Sequence, residues 1–134
     1  MMLKIADENI SAHPDDKSLP NMSCFVRGRY GFDVQNAMRF CDAAVDADGR
    51  KPWALVNRGR VALATGQFVK ALRDFEEALA NPSFRDHPMI VDAVYGRGFA
   101  RLRLGDMNGQ RDIKAALAVR HSVADDFADA GLRP

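Results

Sequence analysis

Residues 53–82 constrain the fold of this chain more than any other stretch, because they contain two helical patterns joined by a short turn. Apolar residues recur at three- and four-residue spacing over 53–64 and again over 68–80, which is typical of amphipathic helices. Gly66 lies between the two patterns, and Pro82 follows the second, where a helix cannot continue. Residues small enough for close helix packing are Gly59, Ala71 and Ala78. The stretch therefore predicts an antiparallel helix hairpin.

The same arrangement recurs on both sides of this hairpin. A set of four residues returns after 34 positions: Ala37, Cys41, Ala44 and Val45 become Ala71, Phe75, Ala78 and Leu79. Two glycines, Gly59 and Gly66, return after 39 positions as Gly98 and Gly105. Phe75 and Ala78 return after 38 positions as Ile113 and Ala116. Self-similarity at such a period indicates a helical repeat.

This spacing and these residue types resemble the tetratricopeptide repeat (TPR) family, whose repeat is 34 residues long. The resemblance covers residues 22–119 and is strongest in the central unit. The first unit lacks the glycine between its helices, and the last has Gly109 or Gln110 where alanine is usual. The resemblance implies an all-α fold, a TPR-like α-solenoid of about three antiparallel helix pairs with a C-terminal capping helix. We expect a loosely ordered N-terminal arm and a TPR-like helical domain, with these bounds: arm 1–20; domain 21–134; units about 21–48, 52–82 and 88–119; cap 122–131.

Local signals give bounds for the individual helices. The expected helices are 22–30, 34–46, 53–64, 68–80, 89–104, 108–119 and one that ends near residue 131. Asp33 is expected to cap the second of these, and Ser122 has the form of a capping box for the last.

Composition limits the function classes. At 134 residues the chain fits one domain, and its formal charge of +1 predicts no strong attraction to nucleic acid or a membrane. No apolar run approaches the roughly 18 residues that span a bilayer, and the first residues lack the apolar core of a signal peptide. As written, the chain is expected to be cytoplasmic.

Residues typical of catalytic or cofactor sites do not occur in recognisable patterns. His13, His87 and His121 lie beside turns or in the arm, so we interpret them as surface residues. The chain contains no CxxC, phosphate loop or GxSxG pattern. We expect no enzyme, no metal and no cofactor.

Two cysteines leave two interpretations open. Cys24 and Cys41 lie on consecutive predicted helices, and Cys41 has the repeat position of Phe75, which faces the core. They can be buried thiols that act as small hydrophobes, or a disulfide that joins the two helices. The pair resembles that of small bacterial TPR proteins with a secretion signal, so a disulfide and a removed signal would imply a periplasmic protein. A redox thiol is a third hypothesis, with no basic partner placed to activate it.

Charge distribution suggests where a partner would bind. The first helices of the central and last units are poor in acids, whereas acids gather on the second helices. In the TPR architecture the first helices line a concave groove. The groove positions that the resemblance implies are Trp53, Val56, Asn57, Arg60, Tyr95, Phe99 and Arg103. For Arg58 and Arg97 we favour ion pairs with acids of adjacent helices.

Aromatic residues beside arginines favour an extended peptide or a partner helix with acidic character. The expected function is a protein–protein interaction scaffold that binds such a segment in its groove. The alternative is a structural subunit or self-associating assembly factor whose groove is filled by its own chain. Either way we expect a monomer or weak homo-oligomer, and neither a membrane nor a nucleic-acid partner.

Overall fold

Seven α-helices and two 3-10 turns follow one another in the computed structural model, which describes residues 18–47 and 49–134. The helices are α1 Ser18–Tyr30, α2 Ala37–Ala47, α3 Pro52–Ala64, α4 Phe68–Ala80, α5 Ile90–Arg103, α6 Gly109–Val119 and α7 Val123–Ala128. The 3-10 turns are Val34–Asn36 and Pro82–Phe84. Within those two ranges no residue forms a strand, which confirms the all-α prediction.

The helices pack in two layers. Short connections join α1 to α2, α3 to α4 and α5 to α6, and each of these pairs is in contact, as antiparallel neighbours joined by a short loop are. The first helices also contact one another, α1 with α3 and α3 with α5, and each of α2 and α4 contacts the first helix that follows it. Helix α3 is therefore central, and it is buried around most of its circumference.

Phe75 of α4 joins the second and third hairpins. Its ring lies against glycines of both neighbouring first helices, Gly59 in α3 and Gly96 in α5. A Cβ atom added at Gly59 would lie 2.7 Å from the ring, and one added at Gly96 would lie 2.3 Å from it. Both glycines are required here because any side chain would overlap with the ring. Gly59, one of the repeated glycines, and Gly96, which lies outside the repeat pattern, thus create the space for this aromatic ring.

The first hairpin has its own small core. Cys24 of α1 and Cys41 of α2 form a disulfide with an S–S distance of 2.07 Å, and both residues are fully buried. They form a cluster with Ala37, Phe40 and Val61, separate from the main core. Because the two cysteines are bonded to each other, the first of the two interpretations, free buried thiols, does not hold.

The last helix does not simply extend the stack. Helix α7 contacts α5 and α6, and the chain around it reaches back to α1, where Arg29 binds Asp126 at 3.2 Å and Asp129 at 3.2 Å. Phe127 is fully buried, with its ring 4.6 Å from that of Tyr95. Leu132, after the helix, is also buried. The C-terminal segment therefore lies across the row of first helices, whereas the sequence predicted a cap on the end of the stack.

Several helix ends differ from those predicted. Helix α1 begins at Ser18, before the predicted 22, because a proline in the first turn removes an N–H that has no partner in the helix anyway. The arm predicted for 1–20 otherwise lies outside the described residues. Asp33 does not cap α2: its φ is 50°, and its carboxylate accepts a hydrogen bond from Asn36 at 2.8 Å. Ser122 also makes no capping hydrogen bond, and α7 ends at Ala128.

Candidate partner-binding site

The predicted groove is largely closed. Five of its seven residues are buried, with 3% or less of their surface exposed: Val56, Asn57, Arg60, Tyr95 and Phe99. Trp53 is half-buried, and Arg103 is exposed. The C-terminal segment covers the row of first helices at Tyr95 and Arg60. The expectation of an open groove along all these residues is therefore corrected.

Arg60 is held within the protein. Its guanidinium donates to Asp92 at 3.1 Å and lies 4.2 Å from the centre of the Phe127 ring. Burial lowers the pKa of Arg60, against the opposing effect of the Asp92 carboxylate. Arg120 also donates to Asp92, at 2.9 Å, and lies 3.3 Å from Asp126. An acidic partner cannot reach Arg60, which the sequence suggested as a groove residue.

Arg103 remains at the surface near the end of α5. One of its amino groups donates to the carbonyl oxygen of Arg133 at 2.9 Å. Its guanidinium lies 5.3 Å from the centre of the Phe99 ring and 6.0 Å from that of Phe68. Arg103 thus lies at the end of α5, whereas Trp53 lies near the start of α3, and the C-terminal residues use part of the hydrogen-bonding capacity of Arg103.

Arg58 and Arg97 form the interhelix ion pairs that the sequence favoured, which confirms that prediction. Arg58 binds Asp74 at 2.9 Å and Asp42 at 3.1 Å. The hydrogen bond to Asp74 is the largest cause that raises the pKa of Arg58. Arg97 binds Asp112 at 2.8 Å in the next hairpin. These arginines fasten paired helices together, and their guanidinium groups are paired within the fold.

An open cavity of about 410 Å³ remains on the same face, beside α1 and α3 and the start of α5. It is lined by Asn21, Met22, Phe25, Trp53, Asn57, His87 and Met89. Met22 and Phe25 are exposed by 37% and 40%, so two large apolar side chains face the cavity together. Two predicted groove residues, Trp53 and Asn57, therefore belong to a real concave surface.

His87 takes a place that the sequence did not indicate. It is half-buried, with its ring 5.9 Å from that of Trp53 and 5.2 Å from that of Phe84, so the interpretation as a simple surface residue is wrong. Its Nδ1 accepts a hydrogen bond from the backbone N–H of Met89 at 3.1 Å. The repeat offset grows from 34 to 39 residues between the second and third units, so the connection around residues 83–88 is about five residues longer. These extra residues bring the His87 ring to the cavity wall. That insertion was visible in the sequence and was the available signal.

Polar groups in the cavity are few and are concentrated at Asn57. Its Nδ2 donates to Oδ1 of Asn21 at 3.0 Å. Its own Oδ1 is buried and has no hydrogen-bond donor within the part of the chain that the structure describes. Buried carbonyl oxygens normally accept a hydrogen bond, and a missing one costs about 1–3 kcal/mol. The Oδ1 of Asn57 is therefore an unused acceptor behind the cavity wall, and an N–H from outside would reach it only after the side chain turns toward the cavity.

The fold and the cavity define a class, an all-helical protein with a concave apolar site. The described residues that line this cavity include no cysteine or carboxylate. Among the described residues no group of three or more histidines, cysteines or acids is placed to hold a metal ion. Of the helices in that part of the chain, none has the length and apolar character needed to cross a membrane. Comparison with protein-family models, curated proteins and solved structures gave no match. The resemblance to TPR proteins therefore rests on the repeated residues of the sequence alone.

Proposed function

We propose that this chain is a TPR-like protein–protein interaction module whose site is the cavity beside Trp53 and Asn57. The proposed architecture is an α-solenoid of three helix pairs. It is supported by the repeat spacing, by the contacts between successive first helices and by the glycines around Phe75. The observation that carries the function is the apolar cavity, with the Oδ1 of Asn57 at its wall, an acceptor that has no donor among the described residues.

The ligand that best fits this cavity is an extended peptide segment with one bulky apolar side chain. That side chain would enter between Met22, Phe25 and Trp53, and a backbone N–H beside it would donate to Asn57. Such a contact recovers the missing hydrogen bond of Asn57 while it buries apolar surface, at about 25 cal/mol per Å². Aromatic and methionine side chains are the residues that most often provide such contacts at interfaces.

Acidic character of the partner has less support than the sequence suggested. Arg60 is paired with Asp92, and the cavity walls that the described residues form contain no charged side chain. We therefore base the proposal on apolar contact and one hydrogen bond. The alternative that the ligand is acidic becomes an arm of the experiment.

Trp53 provides the readout because it is the single tryptophan of the chain and lies in the cavity wall. Blocked hexapeptides with a central leucine or phenylalanine should shift its fluorescence in a saturable way, whereas peptides with a central aspartate should not. Phe25→Glu should abolish the effect by placing a charge in the cavity. Phe32→Glu is the matched control, since Phe32 is 63% exposed and does not line the cavity. The proposal fails if no peptide binds, or if both variants behave alike.

A second candidate function follows from the C-terminal segment. Because α7 and Leu132 already cover part of the first-helix face, the protein could serve as a structural subunit or a self-associating assembly factor. Light scattering over a range of concentrations distinguishes the two functions. A monomer at high concentration excludes self-association. A defined oligomer that does not bind the hexapeptides favours the structural or assembly function.

We also propose an oxidising compartment, such as the periplasm, as the place where the chain works. The disulfide between Cys24 and Cys41 supports this, because thiols in the cytosol are normally kept reduced. Mass spectrometry of protein alkylated without reductant in intact cells tests the proposal. Alkylation of both cysteines in the native host would contradict it.

A further inference from the structure

The outer end of the stack, formed by α5 and α6, carries an apolar cavity of about 210 Å³, away from the site proposed above. It is lined by Ile90, Val91, Val94, Ala115, Ala116 and Val119. Val119, the last residue of α6, is 76% exposed. An apolar surface of this kind is what a partner would cover.

The hairpin of α3 and α4, called the inner hairpin, can be compared with the outer hairpin of α5 and α6. The ion pair of Arg58 with Asp74 recurs as the pair of Arg97 with Asp112. Residues of α3 therefore correspond to those of α5 after 39 positions, and residues of α4 to those of α6 after 38 positions. This register allows the two end faces to be compared position by position.

In the inner hairpin this face is covered by the segment that follows it. Leu55 is 1% exposed and Ala78 is fully buried, and both belong to the same core as Phe84 and Val91. The counterpart of Leu55 in the outer hairpin, Val94, is only half-buried. In the inner hairpin the next helix, α5, packs on α4, whereas among the described residues no further hairpin packs on α6 in the same way.

The residues at the rim of the outer face are apolar, although an end face in contact with water is expected to be polar. Three polar residues of the inner hairpin are replaced by apolar residues in the outer one: Lys51 by Ile90, Glu77 by Ala115 and Asn81 by Val119. A terminal repeat that faces water needs a polar outer surface. At these three rim positions the outer face is instead the more apolar of the two, and we propose that an amphipathic helix of a partner protein covers this end face.

The charges of α6 indicate the character of that helix. Arg111 and Lys114 are exposed beside the apolar face, whereas Asp112, the acid of this helix, is buried and paired with Arg97 and Arg101. A helix with acidic flanks is complementary to this surface. A second copy of the chain fits less well, since two-fold pairing of α6 with itself brings the Arg111 and Lys114 side chains of both copies together.

The probe is a synthetic amphipathic helix of about 18 residues, long enough to be stable, with leucines on one face and glutamates on its flanks. In methyl NMR spectra of the full chain, it should shift the signals of Ile90, Val94 and Val119, and leave that of Met22 in place. Val119→Glu should weaken binding by about tenfold or more, because the glutamate would be buried without a partner. Val69→Glu is the matched control, as Val69 is a 52% exposed valine of α4 outside this cavity.

Three results would overturn the inference: the peptide does not bind, it binds Val119→Glu as tightly as the original chain, or a version with lysine flanks binds equally well. A dimer in analytical ultracentrifugation that Val119→Glu dissociates would assign the face to a second copy, against the inference. Because Val119 is exposed, the variants should unfold at the same urea concentration as the original chain. Loss of hexapeptide binding at Trp53 would leave this end face unaffected, so the two proposals fail separately.

Discussion

Removal of the disulfide should destabilise the protein strongly, although the bond lies in its smallest core. The perturbation is the double variant Cys24→Ala/Cys41→Ala. Its side chains fit a site that is fully buried and already contains Ala37. Reduction of the original chain removes the same cross-link while it keeps both sulfurs, so the two experiments separate the cross-link from the packing.

The magnitude follows from the length of the closed loop. The two cysteines are separated by 17 residues. The loop-closure relation gives a cross-link of this length about 3 kcal/mol at 25 °C. Domains of this size have free energies of unfolding of about 5–15 kcal/mol, so the bond supplies a large fraction. The corresponding fall in Tm is roughly 10 °C. The double variant should lose about 1–2 kcal/mol more, since truncation of buried side chains leaves a cavity.

Urea unfolding, followed by circular dichroism with and without a reductant, measures both terms. The original chain should lose about 3 kcal/mol when the reductant is added, and the double variant should not respond to it. If thiol titration shows complete reduction and the midpoint of the original chain stays in place, the reasoning from loop entropy is refuted. If two free thiols are titrated in denatured protein that was not exposed to a reductant, the disulfide is absent.

Three further perturbations test the core and the buried charges. Gly96→Ala places a Cβ about 2.3 Å from the Phe75 ring and should cost about 1–3 kcal/mol in urea unfolding, whereas Gly96→Ala combined with Phe75→Leu should recover much of the loss. Asp92→Ala leaves the buried guanidinium of Arg60 without its carboxylate and should cost about 3–5 kcal/mol, measured as a fall in Tm. Burial, with a smaller contribution from Asp125, raises the pKa of Tyr95, so the folded state favours the neutral phenol. This pKa shift stabilises the folded state fully below the unfolded-state pKa of about 10, and the stabilisation is lost as the pH rises through the folded-state pKa. In Tyr95→Phe, the free energy of unfolding should therefore decrease less steeply at alkaline pH.

Helix positions could be predicted well where one face of the helix is buried. Residues 68–80 were predicted as a helix, and α4 has the same bounds, because a single apolar stripe fixes its period. The start of α1 was missed, since Pro20 reads as a break but is tolerated in a first turn. The roles of Asp33 and Ser122 were missed because a capping residue needs a particular backbone conformation, which residue type alone does not determine.

The candidate site was predicted only in part. The resemblance to TPR proteins implied the face to which Trp53 and Asn57 belong, and the helical period places the two residues on one side of α3. It could not show that the C-terminal segment covers Arg60 and Tyr95. That outcome depends on where Phe127 packs, which is a contact between residues far apart in sequence. The contribution of His87 depended on the conformation of an insertion, for which the repeat offers no template.

The ionic link between Arg29 and Asp126 changes how this small array should fold. In a linear repeat protein each unit contacts only its neighbours, so folding can begin anywhere and end units can fray or be deleted singly. Here a contact spans 97 residues and joins the first helix to the last. The last helix is then tied to α1, and removal of the C-terminal helix would expose charges that belong to α1 and α3. The three hairpins should therefore unfold as one cooperative unit, and refold more slowly than a repeat array of the same length.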